Sequence, residues 1–214
     1  MQINIHTYIV YQMLASVYRL SALRVVSAYR TVSDEAACVI AGMIQIDILA
    51  RERQKLYCCD REQATNAKVD SMLEWQLRWD HSEKGRWTYR VIRNIEKWVG
   101  RSYGETDSFI TQFLSGHGCF RSYLHRFKLL DSPVCPTCDL EEEDVEHVFF
   151  QCPRFLGERE ELRQQFGEVP TPETIVGLML KSQDNWELVG NVIAKVMKEL
   201  RWIEIQTRTL EEEL

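Results

Sequence analysis

Four residues in the second half of the chain have the types and spacing to hold a metal ion. The segment Cys135-Pro-Thr-Cys138-Asp-Leu-Glu-Glu-Glu-Asp-Val-Glu-His147-Val-Phe-Phe-Gln-Cys152 reads C-x2-C-x8-H-x4-C. Two cysteines three apart make a tight turn that aims both thiolates at one point. A histidine and a cysteine five apart on a short helical turn add two further donors. Three soft sulfurs and one imidazole select Zn2+ over magnesium or calcium. Four protein ligands leave no open position, so one structural zinc is expected at Cys135, Cys138, His147 and Cys152. A redox Cys-x2-Cys would want a strand-to-helix setting and would leave His147 and Cys152 without a role.

The other thiols read differently. Cys38 sits in an Ala-Ala-Cys-Val helical context, Cys58 and Cys59 are adjacent and poorly arranged to chelate together, and Cys119 follows Gly118. These are expected to be core or surface thiols. His117 and His125 near Cys119 form a weaker second donor set, with no Cys-x2-Cys beside it. Seven cysteines is an odd number, in a chain whose first 18 residues lack a basic stretch and a small-residue cleavage site. That argues for reduced thiols and an intracellular protein, nuclear or cytoplasmic, without membrane association.

The elements that must position these residues are helices. Val10, Met13, Leu14, Val17, Leu20 and Leu23 recur at three- and four-residue steps, one face of a helix over roughly 9–29. Thr31-Val-Ser-Asp-Glu places hydroxyls before two carboxylates, a helix start, with Gly42 near the end of the helix that follows. Apolar residues continue at helical spacing through Ile48, Leu49 and Leu56, then Val69, Met72, Leu73 and Leu77. Thr171-Pro172-Glu173 is a further start signal. Trp186 to Arg208 is a long amphipathic helix with Val189, Ile193, Val196, Leu200 and Ile203 as its stripe, read chiefly as core. No stretch alternates long enough to insist on a sheet, so the fold is expected to be mainly α.

Residues 78–128 carry ten basic residues against five acids, interleaved with aromatics. Cations bind a phosphate backbone whatever its sequence, and exposed aromatic faces stack unpaired bases. Arg86, Arg90, Arg93, Lys97, Arg101, Tyr123, Arg126 and Lys128 are therefore the candidate nucleic-acid contacts. The competing reading makes Trp87, Val91, Ile95 and Trp98 a buried stripe, with Arg90, Arg93 and Lys97 as its solvated face.

With 214 residues, 45% of them apolar and 10% aromatic, the chain can bury a core, which excludes disordered and low-complexity classes. The net charge of −6 is unevenly spread. Residues 1–132 hold 18 Lys/Arg and 14 Asp/Glu, whereas residues 133–214 hold 8 and 18, and all five prolines fall within 133–172. The expected organisation is a basic helical region over 1–130, a zinc knuckle over 131–156 and a helical tail over 157–214.

The knuckle, with its end Glu146-His147-Val-Phe-Phe-Gln-Cys152-Pro153, resembles the C-terminal zinc knuckle of non-LTR retrotransposon reverse transcriptases. The upstream string Ala22-Leu-Arg-Val-Val-Ser-Ala-Tyr29-Arg30-Thr-Val-Ser33, and the run from Ile40 to Ala50, are similar to the region after the polymerase thumb in arthropod type-1 elements that insert into ribosomal DNA. So is Thr106-Asp107 to Gly118, leading to Phe120-Arg-Ser-Tyr123. The resemblance spans about residues 15–208. It implies a C-terminal, nucleic-acid-binding piece of a polyprotein, with RNA or target DNA as partner and a parent polymerase domain in cis. Polymerase catalysis in that family needs an aromatic-x-Asp-Asp motif, because paired carboxylates hold the two metals. This chain has no Asp-Asp pair, so neither polymerase nor endonuclease activity is expected of it alone. The alternative is a zinc-stabilised protein-interaction scaffold, favoured by the acidic run Glu141-Glu-Glu-Asp144, which repels phosphate locally.

Overall fold

The computed structural model describes residues 5–57, 61–139 and 141–212, which places Cys58 and Cys59 outside the described residues. Its chain divides into two compact units, Met1–Gly100 and Arg101–Leu214. Among the described residues there is no strand, only an isolated antiparallel bridge between Val134 and Glu142. The fold is mainly α, as the periodicity requires. No helix among these residues is long and apolar enough to cross a membrane.

The first unit holds α1 (Ile5–Val25), α2 (Asp34–Ala41), α3 (Ile46–Leu56), α4 (Arg61–Asp80), α5 (Arg86–Val91) and α6 (Ile95–Val99). The α2 boundaries follow the sequence signals. Ser33 Oγ accepts from the Ala36 N–H, and Gly42, at φ 65°, ends the helix in the left-handed region. Between those caps Ala36 to Ile40 are all buried. Gly85 is required by a close approach as well as by its φ of 66°, since a Cβ there would meet the Ala36 Cβ at 2.9 Å.

Two stripes point the other way from a simple reading of the sequence. On α4 the core row is Ala67, Ser71, Trp75 and Trp79, while Val69, Leu73 and Leu77 face solvent. The two rows lie on opposite sides of the helix, and the tryptophans decide between them because each buries far more area than a Val or Leu. On α1, Leu23 is buried but Val10, Met13, Leu14 and Val17 stay more than half exposed. The packing of α1 is carried by its C-terminal end, through Ala22, Leu23 and Val26.

Trp79 anchors this unit. It is fully buried, donates Nε1–H to the Ile92 carbonyl at 2.8 Å, and meets Tyr89 edge-on at 5.8 Å. Trp79→Ala should destabilise this unit by about 3–5 kcal/mol, the usual cost of truncating a buried aromatic. Urea unfolding measures it, and a loss below about 1 kcal/mol would contradict this packing.

The second unit contains α7 (Ser108–Ser115), α8 (Arg121–Arg126), α9 (Leu156–Phe166), α10 (Ile175–Met179) and α11 (Gln183–Glu212). Helix α11 packs against α7, α9 and α10. Val189, Ile193, Val196 and Leu200 are buried in that packing, with Ile203 half-buried at its end, so the stripe read from the sequence is core. Charge and proline content change near residue 130, but packing changes at Gly100. Helices α7 and α8 lie in the basic stretch, yet they belong to the same unit as the knuckle because Phe113 and Phe120 pack on Phe149.

Candidate metal centre

The knuckle is a short hairpin followed by a helical turn. Glu143 N–H donates to Pro133 O at 2.9 Å and Cys135 N–H to Glu141 O at 2.8 Å, the two rungs flanking the Val134–Glu142 bridge. At the tip, Asp139 adopts φ 59° and donates its N–H back to Cys135 O at 2.9 Å. The Thr137 and Cys138 N–H groups of this bend favour the charged form of the Cys135 thiol.

The other half of the site needs an unusual turn. Residues five apart on an α-helix point about 140° away from each other, which would separate His147 from Cys152. Instead His147–Gln151 forms a π-helical turn, closed by Cys152 N–H donating to His147 O at 2.7 Å. A turn that closes over five residues brings both side chains to the same side. Asp144 Oδ1 accepts the His147 N–H at 2.7 Å and caps the turn.

The result is a four-donor cluster. One ligand atom from each of Cys135, Cys138, His147 and Cys152 lies within 4.8 Å of the others. The Cys152 sulfur is 3.8 Å from that of Cys135 and 3.9 Å from that of Cys138. A tetrahedral ion with metal–sulfur bonds of about 2.3 Å has sulfur–sulfur edges of about 3.8 Å, so the spacing fits. Cys135 and Cys152 are fully buried, and both ring nitrogens of the buried His147 lack a hydrogen-bond partner. Glu141 Oε2 stands 2.6 Å from His147 Nδ1, outside hydrogen-bonding alignment. These residues could hold a metal ion.

The thiols are tuned unequally. Burial works to raise the Cys135 thiol, but the N–H groups of Thr137 and Cys138, with His147 and Cys152, prevail and hold it below its ordinary value. Burial pushes Cys138 up to about 12, helped by the Cys152 and Cys135 sulfurs. Cys152 is also raised, by burial and by Cys135, against the opposing Arg154 N–H. Of the three thiols Cys135 is the most easily ionised, and the other two need a cation beside them.

Sequence reasoning found the four donors and missed their supports. The acidic run was read as a single feature, yet its members differ: Asp144 caps the histidine turn, Glu141 stands beside the imidazole, and Glu143 is buried against Arg154 at 2.7 Å. An Asp three residues before the His is an N-cap spacing and was the one legible signal. The weaker set of His117, His125 and Cys119 does not come together as donors among the described residues. His117 lies against Tyr123, and burial, then the charge of Arg126, lower its pKa to about 4.

The eight candidate nucleic-acid residues fall into both units. In the first, Arg86, Arg93 and Lys97 are exposed on and between α5 and α6, while Arg90 is half-buried with its guanidinium 5.7 Å from the Trp87 ring. The apolar row from Trp87 to Trp98 does not lie on one helix: α5 ends at Val91, and Asn94 caps α6 by accepting the Lys97 N–H at 2.7 Å. Val91, Ile95 and Trp98 are buried as a stripe. In the second unit Tyr123 sits between His117 and Phe127, each 4.9 Å away, with Arg126 and Lys128 exposed beside it. Arg101 differs from the rest: it is half-buried, donates Nε–H to Gly104 O at 3.1 Å and lies 5.4 Å over the Trp186 ring. Burial also lowers its pKa from the usual arginine value. Its contacts hold the 101–104 turn on α11.

No family model matches the chain, and no solved structure does. Curated proteins do match. The chain is 28% identical over 171 residues to a retrovirus-related Pol polyprotein from type-1 retrotransposable element R1 4 of Nasonia vitripennis, covering 71% of this chain and 43% of that protein. It is 32% identical over 145 residues to the R1 2 polyprotein of the same wasp, covering 58% of this chain and 35% of the relative. To a putative 115 kDa protein in type-1 retrotransposable element R1DM of Drosophila melanogaster it is 33% identical over 171 residues, covering 69% of this chain and 16% of that protein. The chain thus spans less than half the length of these relatives. Shared sequence over most of its own length makes the chain a homologue of the R1 retrotransposon Pol polyproteins.

Proposed function

We propose that the chain is the nucleic-acid-binding part of a non-LTR retrotransposon polyprotein, built around one structural zinc and contacting RNA or target DNA. Cys135, Cys138, His147 and Cys152 are its zinc ligands, and the ion's contribution is to cross-link the hairpin to the π turn. Glu141 Oε2, 2.6 Å from His147 Nδ1, stands where a carboxylate can orient the ring. The row of Arg86, Arg90, Arg93 and Lys97 in the first unit contacts phosphate, with Tyr123, Arg126 and Lys128 as a second patch. The absence of an Asp-Asp pair from the sequence supports a non-catalytic role for this stretch.

The observation that carries the nucleic-acid reading is the exposure of Arg86, Arg93 and Lys97 on and between α5 and α6. A salt titration tests it. Affinity for single-stranded RNA and for duplex DNA should fall linearly on a log–log plot against salt. No measurable affinity for either at low ionic strength would leave the interaction-scaffold reading. That second reading draws on the exposed Glu141, Glu142 and Asp144 beside the metal centre.

A further inference from the structure

The knuckle contains a buried ion pair that metal ligation does not explain. Arg154 Nη2 donates to Glu143 Oε2 at 2.7 Å, with the two side chains 12% and 3% exposed. Arg154 Nε is buried without a hydrogen-bond partner, and the guanidinium lies 4.6 Å over the Phe155 ring. Two charges taken out of water, one incompletely satisfied, are a weak source of stability compared with apolar residues of the same size. What the pair connects is more informative. Glu143 closes the hairpin that presents Cys135 and Cys138, through its N–H to Pro133 O at 2.9 Å, and its carbonyl accepts Ser122 N–H at 3.2 Å. Arg154 lies two residues past Cys152, in the short turn Pro153–Phe155 that Cys152 opens.

We infer that Glu143 and Arg154 are positioning residues for the metal, a clasp that fixes the Cys152 segment against the hairpin and sets the sulfur–sulfur spacing before the ion arrives. The inference rests on the zinc reading above. With the clasp in place, Cys152 stands 3.8 Å and 3.9 Å from the other two sulfurs. Without it, the Cys152 segment follows the π turn, and the ion itself must gather the ligands.

Competition with a fluorescent zinc chelator measures the effect on the whole purified chain. Glu143→Gln and Arg154→Gln should each weaken zinc binding by about 10- to 100-fold, the range for residues that orient ligands from behind. Arg154→Lys should recover part of it. The Co2+ form of each variant should keep the absorption of a tetrahedral three-sulfur site, since all four ligands remain. Either single variant can fail to fold by stranding a buried charge. The double variant Glu143→Gln with Arg154→Met removes both charges and should still bind more weakly than wild type. Leu178→Ala, a core truncation in α10, serves as the control for general destabilisation and should leave zinc affinity unchanged. Wild-type affinity in the double variant, or an equal loss in Leu178→Ala, overturns the clasp while leaving the zinc site standing. A wild-type chain that takes up no zinc overturns both.

Discussion

Stripping zinc from the loaded chain should lower the melting temperature of the second unit by on the order of 15 °C and loosen the segment from Pro133 to Phe155. The hairpin is held by two backbone rungs, which together make its one isolated bridge, too little to fix a loop of this length alone. The cross-link from Cys135 and Cys138 to His147 and Cys152 closes it. An ion present at 1,000 times its Kd stabilises the folded state by about 4 kcal/mol, and each kcal/mol moves the midpoint of a domain of this size by roughly 4 °C. Cys138→Ser should abolish stoichiometric zinc, because the tetrahedron loses a corner. Protons must compete at this site. In the metal-free chain burial and neighbouring sulfurs raise the Cys138 and Cys152 thiols, Cys138 to about 12, so both carry protons at neutral pH. Binding must release at least those two protons, so affinity should rise by about 100-fold or more per pH unit near neutrality and fall as the pH drops. Metal analysis that finds no zinc in wild type, or undiminished zinc in Cys138→Ser, would remove the site.

The four-donor cluster was legible because ligand chemistry is written in residue type and spacing. Apart from the cap spacing of Asp144 its supports were not, because they depend on backbone that the spacing does not specify. The five-residue step from His147 to Cys152 works only on a π turn, and nothing in Val148-Phe-Phe-Gln151 announces one. Buried Glu143 looks no different from exposed Glu141 and Glu142 in a run of acids, and only the return of Arg154 tells them apart. The helices show the same division. Caps at Ser33 and Gly42 are local chemistry and were readable, as was the α11 stripe, whose large residues all lie on one side. Helices α1 and α4 carry apolar residues on two sides, so periodicity alone could not choose the buried one. On α4 the weight of Trp75 and Trp79 chose it. The stretch 86–99 was readable as a buried stripe with a basic side, but the break at Ile92 was not, since Asn94 acts as a cap only once the chain has turned.

Replacing Arg90, Arg93 and Lys97 together by Gln should flatten the salt dependence of nucleic-acid binding. Each phosphate contact releases counterions worth a slope of roughly −0.7 to −0.9 in log affinity against log salt, the lower value applying to single strands. The four first-unit contacts, with Arg86 as the fourth, would account for roughly 50- to 150-fold of the loss wild type suffers between 50 and 200 mM salt. With one of those four left, their share of the loss should shrink to about threefold, the second patch contributing equally to both chains. The substitutions leave the fold intact for identifiable reasons: Val91, Ile95 and Trp98 carry the packing, and Asn94 accepts the Lys97 backbone N–H, which a Gln retains. Circular dichroism checks this before any binding is measured. The loss should be uniform across sequences, because phosphate carries no sequence information. Tyr123→Ala should act differently. It removes a ring from the His117–Tyr123–Phe127 group, and because stacking needs an unpaired base face, it should weaken single strands more than duplex and leave the slope alone. A triple variant that keeps the wild-type slope would place the phosphate contacts elsewhere on the molecule. A Tyr123 variant that loses duplex and single strand equally would assign that ring to packing.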